Sequence, residues 1–114
     1  MTEGIRSERV AEAFKEILAA EIPRLKDPRV GFLTVTAVEV SPDLRRARVF
    51  YTVMGDEAAK RATAAALRSA RKHLRASAGR QVRLKFLPEL EFAEDEGLQR
   101  AERVERILKE LGDG

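Results

Sequence analysis

The stretch Arg46-Ala47-Arg48-Val49-Phe50-Tyr51-Thr52-Val53 constrains the fold more than any other part of this chain. Ala47, Val49, Tyr51 and Val53 fall on one side and Arg46, Arg48, Phe50 and Thr52 on the other, the period of a β-strand. A Val- and Thr-rich run from Phe32 to Val40 precedes it, and Ser41-Pro42-Asp43 between the two supplies turn residues. The two runs therefore read as an antiparallel β-hairpin.

Helices on either side supply cover for that hairpin. From Glu8 to Ile22, Val10, Phe14, Ile17, Leu18 and Ile22 recur at helical spacing among Glu12, Lys15, Glu16 and Glu21, with Ser7 placed to cap the start. Pro23 and then Asp27-Pro28 stop this helix, because proline lacks a backbone donor and restricts the residue before it. After the hairpin, Gly55-Asp56 ends the strand and can cap a helix. Ala58 through Ala78 is alanine-rich with an apolar stripe of Leu67, Ala70, Leu74 and Ala78, and Gly79 is the expected C-cap. The periodicity allows one long helix or two with a bend.

Gln81 to Leu87 alternates again, Val82, Leu84 and Phe86 against Arg83 and Lys85, and predicts a third strand that Pro88 ends or edges. Asp95 can cap a last helix carrying Leu98, Ala101, Val104, Leu108 and Leu111. The expected order is α-β-β-α(α)-β-α, a two-layer α+β domain whose third strand returns after a helical crossover. A chain of 114 residues suits one domain, 1–114, with a core of about residues 5–92 and a C-terminal acidic loop and helix over 93–112. It needs no disulfide or metal to fold.

Composition narrows the chemistry. There is no cysteine and one histidine, so thiol catalysis, disulfides and clustered Cys or His metal sites are excluded. That histidine, His73, lies among Arg71, Lys72 and Arg75 and reads as a surface or boundary residue. Glu91, Glu94, Asp95 and Glu96 could hold Mg²⁺ but read as a solvated acidic loop before the last helix. Neither a phosphate loop nor a Gly-x-Gly-x-x-Gly motif is present, and the chain is expected to be no enzyme and to need no cofactor. The polar, acidic opening is unlike a signal peptide and no apolar run of about 18 residues occurs, so a soluble, cytoplasmic protein without a membrane partner is expected.

Charge points to a polyanion. Charged residues make up 36% of the chain, against about 25% in average proteins. The net charge is only +3, yet no Asp or Glu falls between Lys60 and Lys85. Arg68, Arg71, Lys72 and Arg75 follow helical i, i+3, i+4, i+7 spacing and share one face, which Arg80, Arg83 and Lys85 extend. Such a row of cations suits nucleic-acid phosphates, each displacing a condensed counterion. Arg6, Arg9, Arg45 and Arg46 are weaker candidates for the same role. Phe14, Phe32, Phe50, Phe86, Phe92 and Tyr51 mostly fall at positions consistent with core, which favours binding through backbone and shape over base stacking.

Several blocks resemble the ribosome-binding factor A family: Asp27-Pro28-Arg29-Val30-Gly31, Thr34 through Leu44, Ala47 through Tyr51, Leu67-Arg68-Ser69-Ala70, and Gly79 through Phe92 followed by Asp95. Arg6 through Val10 and Arg103 through Leu108 also fit, so the resemblance spans nearly the whole chain in order. It implies a type II KH-like domain, α-β-β-α-kink-α-β, with a C-terminal helix. It further implies a non-catalytic assembly factor that binds the free 30S small ribosomal subunit and assists late 16S rRNA maturation, above all in the cold. A ribosome-assembly GTPase that releases it is an implied partner, and a monomer is expected. Two departures stand out. Ala70-Arg71-Lys72 occupies the kink where the family carries Ala-x-Gly, and Gly97 stands where serine is common. The rival reading is a protein-interaction adaptor or, on the fold the resemblance implies, a generic KH-like RNA-binding protein.

Overall fold

The computed structural model describes residues 2–112, with side chains described except at 2–5, 98–104 and 112. The elements are α1 (Thr2–Glu21), a single 3₁₀ turn (Ile22–Arg24), β1 (Leu33–Val40), β2 (Arg46–Val53), α2 (Glu57–Val82), β3 (Glu89–Glu94) and α3 (Gly97–Gly112). The sheet order is β1-β2-β3, with β1 antiparallel and β3 parallel to the central β2. The hairpin and the helical crossover are thus as expected.

The core lies between the sheet and α1 and α2. Val10, Phe14 and Leu18 from α1, Ile22 from the 3₁₀ turn, Ala47, Val49, Tyr51 and Val53 from β2, Leu67, Leu74 and Ala78 from α2, and Leu90 from β3 are all buried in it. Four-residue spacing in α1 and α2 and two-residue spacing in β2 bring these side chains to one layer. Ile17 and Ala70 are half-buried at its border.

β1 needs an irregularity to join that layer. Val35 pairs with Tyr51 and Ala37 with Phe50, so Thr36 is the extra residue of a bulge. The bulge moves the inward phase from Leu33 and Val35 to Val38 and Val40, and all four reach the core. Thr36 itself donates its hydroxyl to Asp95 Oδ2 at 2.6 Å, tying the bulge to the chain leaving β3.

The structure moves several predicted boundaries. Ser7 is no N-cap: it is a buried residue inside α1, which begins at Thr2. Asp56 does cap α2, accepting the Ala59 amide at 2.8 Å. Ala70-Arg71-Lys72 does not interrupt α2, which runs as one helix from Glu57 to Val82. Ala, Arg and Lys are all strong helix formers, and no glycine is there to relax the backbone.

Gly79 is not the C-cap either. It is buried inside α2, where a Cβ would overlap the Leu87 side chain, so glycine serves there to let Leu87 approach. The cap is Arg83, in the left-handed region at φ 61°. Its amide donates to Arg80 O at 3.3 Å and the Leu84 amide to Gly79 O at 3.2 Å, the paired bonds of a Schellman ending.

The predicted third strand over Gln81–Leu87 is therefore displaced. Val82 closes the helix, Leu84 packs beneath the cap, and the strand forms at Glu89–Glu94, after Pro88 rather than before it. Leu90 and Phe92 turn inward there against Ala47 and Val49. The alternation at 82–86 arises from a helix end followed by a loop, two conformations that happen to share its period.

Candidate nucleic-acid interface

α2 orients the central cations. With Leu67 and Leu74 fixed in the core, Arg68 and Lys72 are turned away from it and Arg71 flanks the apolar stripe, and all three are exposed. None has an ion-pair partner among the described residues. His73 is exposed beside them. Arg80, in the last turn of α2, and Arg83, at its cap, are exposed as well.

Two cations of the acid-free stretch, Lys60 and Arg75, are neutralised by carboxylates that lie outside it. Lys60 Nζ lies 3.3 Å from Glu94 on β3 and 3.7 Å from Glu57, and its hydrogen bond to Glu94 raises its pKa. Arg75 Nε donates to Pro88 O at 2.9 Å and its Nη2 to Leu87 O at 2.8 Å, with Glu89 Oε1 3.3 Å away. Arg75 is thus a clamp on the α2–β3 loop, committed to carbonyls that would otherwise lack a donor. Its helical spacing groups it with the free cations, while its partners lie beyond the helix end.

The carboxylates expected in a solvated loop are also placed differently. Glu91 and Glu94 belong to β3, where Glu91 lies 3.4 Å from Arg48 and Glu94 reaches Lys60. Asp95 is buried, bonded to Thr36, and its amide donates to Tyr51 O at 2.6 Å. Among the described residues no three acidic or histidine side chains converge as metal ligands. The stripe expected on α3 is partly outside the described residues, at Leu98, Ala101 and Val104, while Ile107, Leu108 and Leu111 are exposed.

A second cationic region forms where the chain doubles back. Arg6 from α1, Arg45 from the β1–β2 turn, Arg75, and Lys85 and Phe86 from the α2–β3 loop line one groove of about 800 Å³. It brings two of the weaker candidates, Arg6 and Arg45, beside Lys85. Arg9 is exposed on α1 outside this lining. Arg46 lies instead in a shallower depression of about 250 Å³ with Glu39, Arg48 and Glu91, where the charges are mixed.

Aromatic exposure is what the sequence does not reveal. Phe14, Phe50 and Tyr51 are buried, but Phe86 is 75% and Phe32 84% exposed. Lys85 Nζ stands 5.6 Å from the Phe86 ring centroid, a cation–π contact. Phe86 reads as inward-facing only while Gln81–Leu87 is taken for a strand, and the alternation there carries no signal that would mark a loop instead.

Two helices on one face of a three-stranded mixed sheet, with a cationic surface on the crossover helix, define a KH-like α+β domain. The chain belongs to the ribosome-binding factor A family, whose sequence profile matches residues 6–108. It is 48% identical over 107 residues to ribosome-binding factor A of Geobacter sulfurreducens, covering 93% of this chain and 91% of the relative. The fold is similar to the crystal structure of ribosome-binding factor A from Thermus thermophilus, with a TM-score of 0.69 and 35% identity over 77% of this chain and 94% of that one. It is also similar to homology-built coordinates of the Thermus thermophilus factor fitted into a cryo-EM map of a 30S complex. That match has a TM-score of 0.57 and 41% identity, covering 70% of this chain and 85% of that one.

Proposed function

We propose that this protein is a non-catalytic assembly factor that binds the free 30S subunit and assists late maturation of 16S rRNA, gripping the RNA through its phosphates. The observation that carries the reading is the exposed trio Arg68, Arg71 and Lys72, one face of α2 without acidic partners among the described residues. Cations held this way lose little by exchanging water for phosphate and release condensed counterions when they do. Membership of the family and the likeness to a factor fitted into a 30S complex support the same partner.

Arg80, Arg83 and Lys85 extend the contact, with Arg6 and Arg45 on the flank; Arg75 contributes by holding the loop that carries Lys85. Phosphate contacts of this kind position a protein on RNA and do not read bases. The working form is a cytoplasmic monomer, most needed in the cold and released by an assembly GTPase. Among the described residues no helix is long and apolar enough to cross a membrane.

Co-sedimentation tests this. The protein should travel with isolated small subunits and not with intact ribosomes, and a variant with Arg68, Arg71 and Lys72 all changed to Gln should stay in the supernatant. The adaptor reading draws on the exposed Ile107, Leu108 and Leu111 of α3. It is favoured instead if the triple variant still sediments while an Ile107→Ser, Leu108→Ser, Leu111→Ser variant does not.

A further inference from the structure

The groove between the start of α1, the β1–β2 turn and the α2–β3 loop combines features that phosphate contacts alone do not require. Its wall carries an aromatic ring, Phe86, left 75% exposed. That ring is not on a loose tether. The Schellman ending at Arg83 and Leu84 fixes the loop on one side, and Arg75 grips the Leu87 and Pro88 carbonyls on the other. The Glu89 amide, donating to Arg45 O at 2.8 Å, then joins the loop's end to the β1–β2 turn. The anchored loop presents the ring to water beside Lys85, in a groove that Arg45 and Arg6 also line.

Those three cations have no ion-pair partner among the described residues. The acidic member of the lining, Asp43, is turned to its own loop: its Oδ1 accepts from Ser41 Oγ at 2.7 Å and from the Arg45 amide at 3.0 Å. An exposed aromatic ring on an anchored loop, sharing its groove with cations, is the chemistry that holds an unpaired nucleotide, the base stacked on the ring and the flanking phosphates on the charges. A paired base cannot reach such a ring, since its faces are already covered by its neighbours.

We propose that this groove binds single-stranded RNA and that Phe86 stacks an unpaired base, with Arg6, Arg45 and Lys85 holding the adjoining phosphates. The site rests on the RNA-binding reading above and adds to it a contact specific for unpaired nucleotides. It adjoins the α2 face through Arg75, one turn beyond Arg71 and Lys72, so a strand leaving a helix bound on α2 could enter it.

The chain has no tryptophan, so Phe86→Trp installs a single reporter at the platform. On titration with a uridine hexanucleotide its emission should be quenched, and an abasic ribose-phosphate oligomer of equal length should leave it unchanged. Phe86→Leu keeps the apolar bulk without the ring. It should weaken hexanucleotide binding, read by anisotropy of a dye on the RNA, about 5- to 150-fold while leaving the thermal midpoint in place. Should the hexanucleotide bind with no change in the emission of the Phe86→Trp variant and with equal affinity for Phe86→Leu, the stacking site is wrong while the phosphate-binding reading stands. If neither the oligonucleotide nor the isolated small subunit binds at low salt, both fall together.

Discussion

At the scale of single residues, the informative positions are those whose role is set by a partner far away in sequence. Thr63 is buried on α2, where its hydroxyl donates to Arg29 O at 3.3 Å and accepts the Gly31 amide at 3.2 Å. Thr63→Val keeps the shape, strands both groups, and should lower unfolding stability by about 1–3 kcal/mol in denaturant titrations. Arg83 adopts a left-handed conformation that disfavours a side chain. Arg83→Gly should therefore raise stability by about 1 kcal/mol while weakening RNA binding, a pairing of opposite signs that separates the cap from the contact. Asp27 is held by Arg29 through bonds of 3.0 and 2.7 Å, and its pKa is lowered from 3.8 to about 2. A depressed carboxyl favours the folded state above its ordinary value and loses that contribution as the pH falls from about 4 through about 2. Carboxyl NMR should find the Asp27 midpoint near 2, and Arg29→Gln should raise it only part of the way to the ordinary value, because the residue 29 amide still donates to Oδ1 at 3.0 Å. A wild-type midpoint near 3.8 would contradict the pairing.

At the scale of elements, the sequence was clear where one period ran unbroken and misleading where two structures met. β2 was legible to the residue because its alternation fills both faces of a central strand. α1 and α2 were legible in their apolar stripes but not in their ends, since Ser7 and Gly79 have the composition of caps and are buried for packing instead. The bulge at Thr36 left no local mark beyond the phase change from Val35 to Val38, which only the register with β2 resolves. β3 was misplaced because Val82, Leu84 and Phe86 imitate a strand across a helix end. The exposure of the cationic face was legible in its middle, whereas Arg75 and Lys60 could not be assigned without knowing that Glu89 and Glu94 return to α2. Arg75→Met should confirm that division: losing the clamp on Leu87 and Pro88 should cost about 2 kcal/mol of stability. Gly79→Ala should act at the same place by displacing Leu87, and should alter the indole emission when combined with Phe86→Trp.

At the scale of the molecule, a net charge of +3 conceals an uneven distribution. Acidic residues pair with Lys60, Arg75 and Arg48 around the sheet, which leaves Arg68, Arg71 and Lys72 as an open face on the crossover helix. The family and fold place the chain among ribosome-binding factors, and the proposed RNA contact rests on the electrostatics of this face. The dependence of small-subunit affinity on salt tests that claim most directly, because each phosphate neutralised contributes about 0.9 to the slope of log K against log salt on duplex nucleic acid. The slope for wild type should be steep, and changing Arg68, Arg71 and Lys72 to Gln should flatten it by about 2–3 while the melting temperature holds. A triple variant that binds isolated small subunits with the wild-type slope would show that this face does not meet the RNA.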